Sequence, residues 1–377
     1  MRQFRDAGAH RDSSKLVDCY AENAIAISPV FGELKGKHAI AAAWGTWFST
    51  FNDFGFAISD TLIDGDRVVV LGKGTLTDRM GWFGLPATGG KIDFRLAFHL
   101  TFSGRKIIRD ERIFDSTGVV ARLEKALLDS EMKTAAELQR ALLSRTTYHT
   151  RFCESAGDAV PCRSIGGDFF EFVELPSGAL GVAIGDIAGH GPAAALLAAM
   201  LQGLFLGEVG SGSGPATVLA RLNQRLLQRH LAPRFATLVY AELSPRGRLV
   251  YSNAGHNPPA LLARGEVRRL TAGGMILGAF EDAAFQEETL HMGDGDTLVM
   301  FTDGLIEANN LQGEEFGEDR LLARLTSNAS SAPKTLLNQV FGGVREFCSQ
   351  TELSDDATLT LTRFLQPANT GARGVTH

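Results

Sequence analysis

The 377-residue sequence has few cysteines and no excess of positive charge. Its four cysteines, Cys19, Cys153, Cys162 and Cys348, form no C-x-x-C pair. That spacing indicates neither a disulfide framework nor a thiolate zinc site, and it suits a reducing cytoplasm. The formal net charge of −6 argues against a nucleic-acid-binding surface.

Long hydrophobic runs are also missing. No charged-then-apolar leader opens the chain, and the most apolar stretch, 192–206, contains Gln202 and is too short for a membrane span. We therefore expect a cytoplasmic protein with no membrane partner. With 44% hydrophobic and 21% charged residues, the composition is that of an ordinary globular chain, and its length allows two or three domains.

The sequence does contain acidic residues at the ends of apolar runs. Residues 166–191 read GGDFFEFVELPSGALGVAIGDIAGHG, with Asp168 and Asp186 in or beside two segments that predict buried strands. Because a buried carboxylate is costly without a compensating charge, we expect a cation close to both. For Asp186 taken alone, the alternative is a helix cap, since Pro192 suits the first turn of a following helix.

Two further acidic sites adjoin strand-like segments. Asp303 ends the run DTLVMFTD, whereas Asp355 and Asp356 precede ATLTLTRF, in which apolar and polar residues alternate. Carboxylates at four strand ends can converge at one edge of a sheet core. Oxygen ligands without clustered cysteine or histidine favour Mg²⁺ or Mn²⁺ over zinc.

Five motifs now stand in a distinctive order: GGDFF, GDIAGHG, NAGHNPP, FTDGLIEA and DDATL. This order resembles the SpoIIE-type branch of the metal-dependent (PPM) protein phosphatases, which implies an α/β/β/α sandwich over residues 148–366. The resemblance also implies the site residues. The metal-binding and catalytic acids would be Asp168, Asp186, Asp303 and Asp355, joined by the backbone carbonyl of Ile187 and by a contribution from Asp356.

The resemblance places Arg163 near the substrate phosphate, although a solvated or ion-paired arginine is the ordinary alternative. The chain departs from the common GGDFYD pattern at Phe170 and Glu171, and neither change removes a metal-binding acid. His190 and His256 lie in glycine-rich motifs, where we expect structural hydrogen bonds instead of catalysis.

Two Mn²⁺ or Mg²⁺ ions in such a site would activate a water for in-line attack on phosphorus. The resemblance therefore implies a serine/threonine phosphatase acting on a phosphoprotein, with an anti-sigma-factor antagonist of a bacterial partner-switching pathway as the leading substrate. The alternative is a catalytically silent or partner-dependent binding module of the same fold. Its signature would be lost metal acids, and none is lost here.

Residues 1–117 predict a separate α+β domain. A helix at about Lys37–Phe51 carries aromatic residues at helical spacing, and strand-like runs follow to Phe114. The pattern resembles the SnoaL-like cone. We expect a pocket for a small apolar ligand, or else a packed core or dimer face, formed by Trp44, Trp47, Trp82 and Phe98.

Between the two halves, residues 118–147 predict an amphipathic linker helix with an apolar stripe that includes Leu128, Leu138 and Leu142. Such a helix either packs on one of the domains or pairs two chains in a homodimer and passes a signal to the phosphatase. Residues 367–377 predict a disordered tail.

Overall fold

The computed structural model describes residues 2–79, 81–82, 84–142, 146–229, 235–349 and 353–366. The chain divides into two compact units of mixed helix and sheet, Met1–Glu131 and Met132–His377. Two sequence predictions lie outside the described residues: the tail at 367–377 and positions 143–145 of the linker.

The first unit is a six-stranded sheet with three helices before or between its strands. The sheet has the order β2-β1-β6-β5-β4-β3, in which β3 to β6 form an antiparallel meander and β1 lies parallel to β6. The elements are α1 (Arg2–Ala9), α2 (Ser13–Val17), β1 (Tyr20–Ser28), β2 (Gly32–Lys35), α3 (Lys37–Thr50), β3 (Gly55–Asp64), β4 (Arg67–Thr77), β5 (Lys91–Ser103) and β6 (Lys106–Phe114).

Helix α3 supplies the aromatic side of this unit's core. Ile40, Trp44 and Trp47 recur at helical spacing and are buried, because their face of the helix packs against apolar residues of the sheet such as Phe94 and Phe98. The tight turn between β3 and β4 requires Gly65, whose φ of +58° is left-handed.

A single helix, α4 (Ser116–Leu142), joins the units, and the division between them falls within it, after Glu131. It begins two residues before the predicted linker does. Met132 and Ala135 of the predicted stripe are half-buried and pack beside Ala136, whereas Leu128, Leu138 and Leu142 are more than half exposed. The predicted stripe is therefore only partly covered.

The second unit contains two six-stranded sheets. One has the order β15-β12-β11-β10-β9, with β16 beside β12; the other has the order β14-β13-β17-β18-β8-β7. Their strands are β7 (Thr147–His149), β8 (Cys153–Val160), β9 (Phe169–Glu174), β10 (Leu180–Ile187), β11 (Ala236–Leu243), β12 (Arg248–Ala254), β13 (Ala260–Ala263), β14 (Glu266–Arg269), β15 (Gly273–Gly274), β16 (Glu288–His291), β17 (Thr297–Phe301) and β18 (Ala357–Phe364).

Helices cover the outer face of each sheet. Side chains of α5 (Pro192–Val209) and α6 (Pro215–Leu227) pack on the β10 and β11 side, and those of α8 (Glu318–Ser327) and α9 (Pro333–Phe347) pack on the β17 and β18 side. A third apolar cluster, which includes Phe170, Val239 and Met300, lies between the sheets. The result is the predicted α/β/β/α sandwich, with the short helix α7 (Asp303–Ile306) after β17.

Helix α5 is longer than the sequence suggested. It extends to Val209, so by length and composition alone it could cross a membrane, contrary to our expectation that this stretch is too short. One face of the helix, including Ala198, Leu201 and Phe205, is buried in the core of the second unit. This packing accounts for its apolar composition.

Candidate metal centre

The strand registers bring the acidic residues together in two pairs of neighbouring strands. Phe169 at the start of β9 pairs with Gly185 of β10, so Asp168 and Asp186 lie next to each other. In the other sheet, Phe301 of β17 pairs with Leu359 of β18. The chain after β17 and the chain before β18 therefore meet at the same edge, and these segments carry the remaining acids. We call the region that contains Asp168, Asp186, Asp303, Asp355 and Asp356 the acidic edge.

Two threonines join the sheets across this edge. The hydroxyls of Thr302 and Thr358 donate hydrogen bonds of 2.8 and 2.7 Å to Oδ2 of Asp168, which is buried. Thr358 also donates its backbone N–H to the Thr302 hydroxyl oxygen. Neither threonine was predicted as a site residue from the sequence, although each stands in a motif, FTDG or DDATL. Their role is to hold Asp168 against the second sheet.

The site concentrates negative charge. Burial, and then the neighbouring Asp186, raise the pKa of Asp168 well above its usual range. Burial together with Asp303, Asp355 and Asp356 raises the pKa of Asp186 to about 7. Carboxylates brought this close resist ionising together unless a cation compensates them. The donor set is thus the kind that hard divalent cations bind, and it fits Mg²⁺ or Mn²⁺.

The two adjacent acids before β18 have different surroundings. Both carboxylate oxygens of Asp356 accept backbone hydrogen bonds, Oδ1 from Cys162 at 2.8 Å and Oδ2 from Gly167 at 2.6 Å, and the residue is only 4% exposed. Asp355 is exposed, and its Oδ1 accepts a hydrogen bond of 2.8 Å from the backbone N–H of Asp356. Asp356 is therefore engaged by the chain itself, whereas Asp355 faces the other acids.

Ile187 is the last residue of β10, and its carbonyl oxygen lies beside Gly167. A Cβ at Gly167 would come within 3.0 Å of that oxygen, and a Cβ at Gly166 would come within 2.5 Å of Oδ2 of Asp356. Side chains at these two positions would therefore disturb the site. The GG dipeptide before Asp168 is required by close approach of the backbone.

Cys162 lies within 4.8 Å of Asp355 and Asp356, measured between potential ligand atoms. Burial and the charges of Asp356 and Asp355 raise the pKa of its thiol to about 11, so it stays protonated and is a poor nucleophile.

Arg163 follows Cys162 in the chain. It is exposed and makes no ion pair with any residue that the structure describes. The predicted contact of Arg163 with a substrate phosphate stays a prediction.

His256 has structural contacts. Nδ1 lies 2.7 Å from the Thr237 hydroxyl, and Nε2 lies 3.1 Å from the carbonyl oxygen of Phe301. The neutral ring satisfies both contacts by accepting at Nδ1 and donating at Nε2. Burial lowers its pKa to about 4. The histidine therefore holds the last residue of β17, Phe301, by a hydrogen bond two residues before Asp303.

This low pKa predicts a pH-dependent stability. The unfolded histidine binds a proton between about pH 6.5 and pH 4 and the folded one does not, so the free energy of unfolding should fall by roughly 3 kcal/mol as pH decreases through that window. Urea unfolding with chelator present, for wild type and His256→Gln, measures the difference. We expect a weaker pH slope in His256→Gln and an unchanged slope in the exposed control His291→Gln; equal slopes in all three would contradict the assignment.

Comparison with known proteins places both units. The family model for stage II sporulation protein E (SpoIIE) matches residues 176–365, and that for a SnoaL-like domain matches residues 1–110. Among characterised relatives, phosphoserine phosphatase RsbU of Bacillus subtilis is 27% identical over 240 residues, covering 63% of this chain and 70% of RsbU. Phosphoserine phosphatase RsbP of the same organism is 31% identical over 150 residues, covering 38% of this chain and 37% of RsbP.

Among solved structures, the SiaA-PP2C domain of Pseudomonas aeruginosa is similar with a TM-score of 0.55 at 20% identity, covering 64% of this chain and 98% of that domain. At this identity the likeness concerns the fold, and it agrees with the sandwich described above. The SpoIIE model matches half of the chain. The five motifs named above follow one another along the chain in the predicted order, and they include the residues of the acidic edge. The chain therefore belongs to the SpoIIE family of PPM-type serine/threonine phosphatases, with a SnoaL-like domain at its N-terminal side.

Proposed function

We propose that this chain is a Mn²⁺- or Mg²⁺-dependent protein phosphatase that hydrolyses phosphoserine or phosphothreonine at the acidic edge of its second unit. One observation carries the proposal: the groups that raise the pKa of the half-buried Asp186 are, besides burial, three other carboxylates. A cluster of this kind is destabilising by itself and becomes favourable when divalent cations bind.

The residues divide into ligands and supports. Asp168, Asp186, Asp303 and Asp355 would hold the metal, together with the Ile187 carbonyl. Two bound ions would supply a water of lowered pKa and offset the charge of the phosphoryl group. Asp356 supports the site by binding backbone N–H groups. Arg163, exposed and without an ion pair among the described residues, would hold the substrate phosphate through its planar guanidinium.

The substrate would be a phosphoprotein. Both RsbU and RsbP are named phosphoserine phosphatases, and this supports a phosphoserine on an anti-sigma-factor antagonist, within partner switching, as the reaction of this chain. The four free cysteines agree with a cytoplasmic setting. A silent binding module of the same fold remains the competing function, and the complete set of carboxylates argues against it.

Hydrolysis of p-nitrophenyl phosphate by the full-length chain tests the proposal. We expect turnover with Mn²⁺ or Mg²⁺ and none with chelator, because without cations the clustered carboxylates repel the phosphate group and no metal-activated water is present. A folded protein that binds Mn²⁺ but has no turnover, even on a phosphoserine peptide, would favour the binding module. Turnover that persists in chelator would contradict the metal requirement.

The first unit would regulate this activity by binding a small apolar ligand. Trp44, Trp47 and Phe98 line a common cavity, and the Arg112 guanidinium, 4.1 Å from the Trp44 ring centre, lies on its wall. Trp82, also predicted for the pocket, does not line this cavity; it is buried and packs on Trp47 with ring centres 5.6 Å apart. Quenching of tryptophan fluorescence by a titrated aromatic compound would support the pocket, and insensitivity across a broad library would favour packed core.

A homodimer paired through α4 belongs to the same proposal, because Leu128, Leu138 and Leu142 expose more than half of their surfaces. Sedimentation of wild type and Leu138→Asp measures it. The aspartate should weaken self-association by placing a charge on the apolar stripe, and identical sedimentation of the two proteins would remove the pairing hypothesis.

A further inference from the structure

The C-terminal turns of α4 are attached directly to the loop that precedes Asp168. The side-chain amide of Gln139 donates to the carbonyl oxygen of Gly166 at 2.7 Å, and its Oε1 accepts from the backbone N–H of Gly166 at 3.1 Å. One carboxamide thus satisfies both polar groups of one residue. Gly166 is buried, so losing the pair would leave a backbone donor and a backbone acceptor with neither a protein partner nor water, which is unfavourable.

The loop held in this way, residues 161–167, carries two functions of the proposed site. Its two ends bind Asp356, through the N–H groups of Cys162 and Gly167. Between those anchors lies Arg163, whose side chain is exposed. Moving Gly166 would therefore change the position of the carboxylate anchor and of the phosphate-binding candidate together.

Other contacts fix the same helix end independently of Gln139. The amide of Gln202, a buried residue of α5, donates to the carbonyl oxygen of Leu142 at 2.7 Å and to Glu171 at 2.5 Å. Ala136 of α4 packs with Ile165 of the loop and Ala195 of α5. These contacts fix the position of the last turns of α4. The hydrogen bonds of Gln139 then make the position of the 161–167 loop depend on the position of α4.

A small cavity lies between this helix and the acidic edge. Its wall includes Gln139 and Arg140 of α4 as well as Gly166, Asp168 and Asp356. Space on this side means that the loop has room to shift when the helix contact is released. The Gln139 pair is then one restraint on the loop position, beside the Asp356 hydrogen bonds and the packing of Ile165 on Ala136.

We propose that Gln139 is a positioning residue of the phosphatase site, which rests on the proposed function: its carboxamide holds the 161–167 loop so that Asp356 is seated and Arg163 faces the substrate. Because α4 is continuous from Ser116 to Leu142, a rotation or shift of its last turns separates Gln139 from Gly166. Catalysis then depends on the position of α4, through a pair of hydrogen bonds instead of through general packing.

Substitutions in the full-length chain distinguish a positioning role of the Gln139 hydrogen bonds from a role in packing alone. Gln139→Met keeps the length and helix preference of the side chain and removes both hydrogen bonds, Gln139→Ala also removes its volume, and Glu137→Ala is an exposed control two residues away. We expect both Gln139 variants to lower turnover of p-nitrophenyl phosphate about 10-fold or more and to raise the Mn²⁺ concentration for half-activation, because small displacements of positioning groups are costly. The control should match wild type in turnover and in melting temperature, and turnover of the Gln139 variants is to be measured at a temperature at which each variant is fully folded.

A glutamate at the same position adds a pH-dependent test. Ionised, the Gln139→Glu carboxylate faces the Gly166 carbonyl oxygen and cannot donate to it; protonated, it can make both hydrogen bonds. The ratio of its activity to that of wild type should therefore rise as pH falls from about 8 to about 5.5. A residue that acts only by filling space would give a constant ratio.

Hydrogen exchange measured by mass spectrometry keeps the test independent of turnover. Amides of residues 161–167 should exchange faster in Gln139→Met than in wild type, even if p-nitrophenyl phosphate is not a substrate. Failure of the wild type to hydrolyse any phosphoester would contradict the proposed function and leave this comparison intact. Wild-type activity and unchanged loop exchange in Gln139→Met would overturn the positioning role, and so would a gain of activity.

Discussion

Replacing Asp186 by asparagine is expected to lower turnover of p-nitrophenyl phosphate by about two orders of magnitude or more, with the fold intact. Asparagine has the shape of aspartate and fits the end of β10, but it removes a charge that the divalent cation needs. In chelator the variant should be at least as stable as wild type, because it relieves repulsion from Asp303, Asp355 and Asp356.

Thermal unfolding with and without Mn²⁺ measures the metal part of this effect. Mn²⁺ should raise the melting temperature of wild type, since it binds only the folded chain, and should raise that of Asp186→Asn much less. Asp282→Asn, at an exposed position of the same unit, is the matched control and should respond like wild type. Full turnover in Asp186→Asn would show that the metal assignment is wrong.

Changing each of the adjacent acids Asp355 and Asp356 to asparagine is expected to have different effects. The first change should reduce metal binding and turnover, and the second should reduce stability. Asp355→Asn should lower turnover and Mn²⁺ affinity strongly and leave stability in chelator unchanged or higher, because its side chain is exposed and the change relieves repulsion from the other acids. Asp356→Asn turns an NH₂ group towards one of two backbone N–H donors and should cost roughly 1.5–3 kcal/mol of unfolding free energy, the size of a hydrogen bond to a charged group.

Urea unfolding in chelator and Mn²⁺ titration of activity, carried out on both variants, check this division. Asp356→Asn should also lose activity, through the loop, but its defining result is the loss of stability. If Asp355→Asn were the unstable variant and Asp356→Asn kept its fold while losing Mn²⁺ affinity, the roles of the two residues would be exchanged.

Local patterns were sufficient for most of the fold. The aromatic spacing predicted α3 to within one residue at each end, and the strand-like runs up to Phe114 correspond to β3 to β6, because residues buried on one face of an element recur periodically in the sequence. The length of α5 was underestimated. Its later residues, up to Val209, continue the helix because Phe205 and Val209 pack in the core of the second unit, a long-range contact that the local pattern does not contain.

The candidate site was predictable in its acids and incomplete in its supports. Motif order pointed to Asp168, Asp186, Asp303 and Asp355, whereas Thr302 and Thr358 were missed because a threonine in a strand is ordinarily explained by β propensity alone. Gln139 was missed for a similar reason. On an amphipathic helix it reads as a solvated polar residue, and nothing nearby in sequence indicates that it pairs with Gly166.

The sequence by itself determined which residues can offer oxygen ligands, the strand ends at which they stand, and the family to which the second unit belongs. Those properties depend on residue type and on local periodicity. Only the tertiary structure decided that Asp356 accepts backbone N–H groups of a distant loop whereas Asp355 accepts one from its neighbour Asp356, because Cys162 and Gly167 lie 194 and 189 residues earlier in the chain than Asp356. Two identical carboxylates side by side acquire different roles from what the fold places around them.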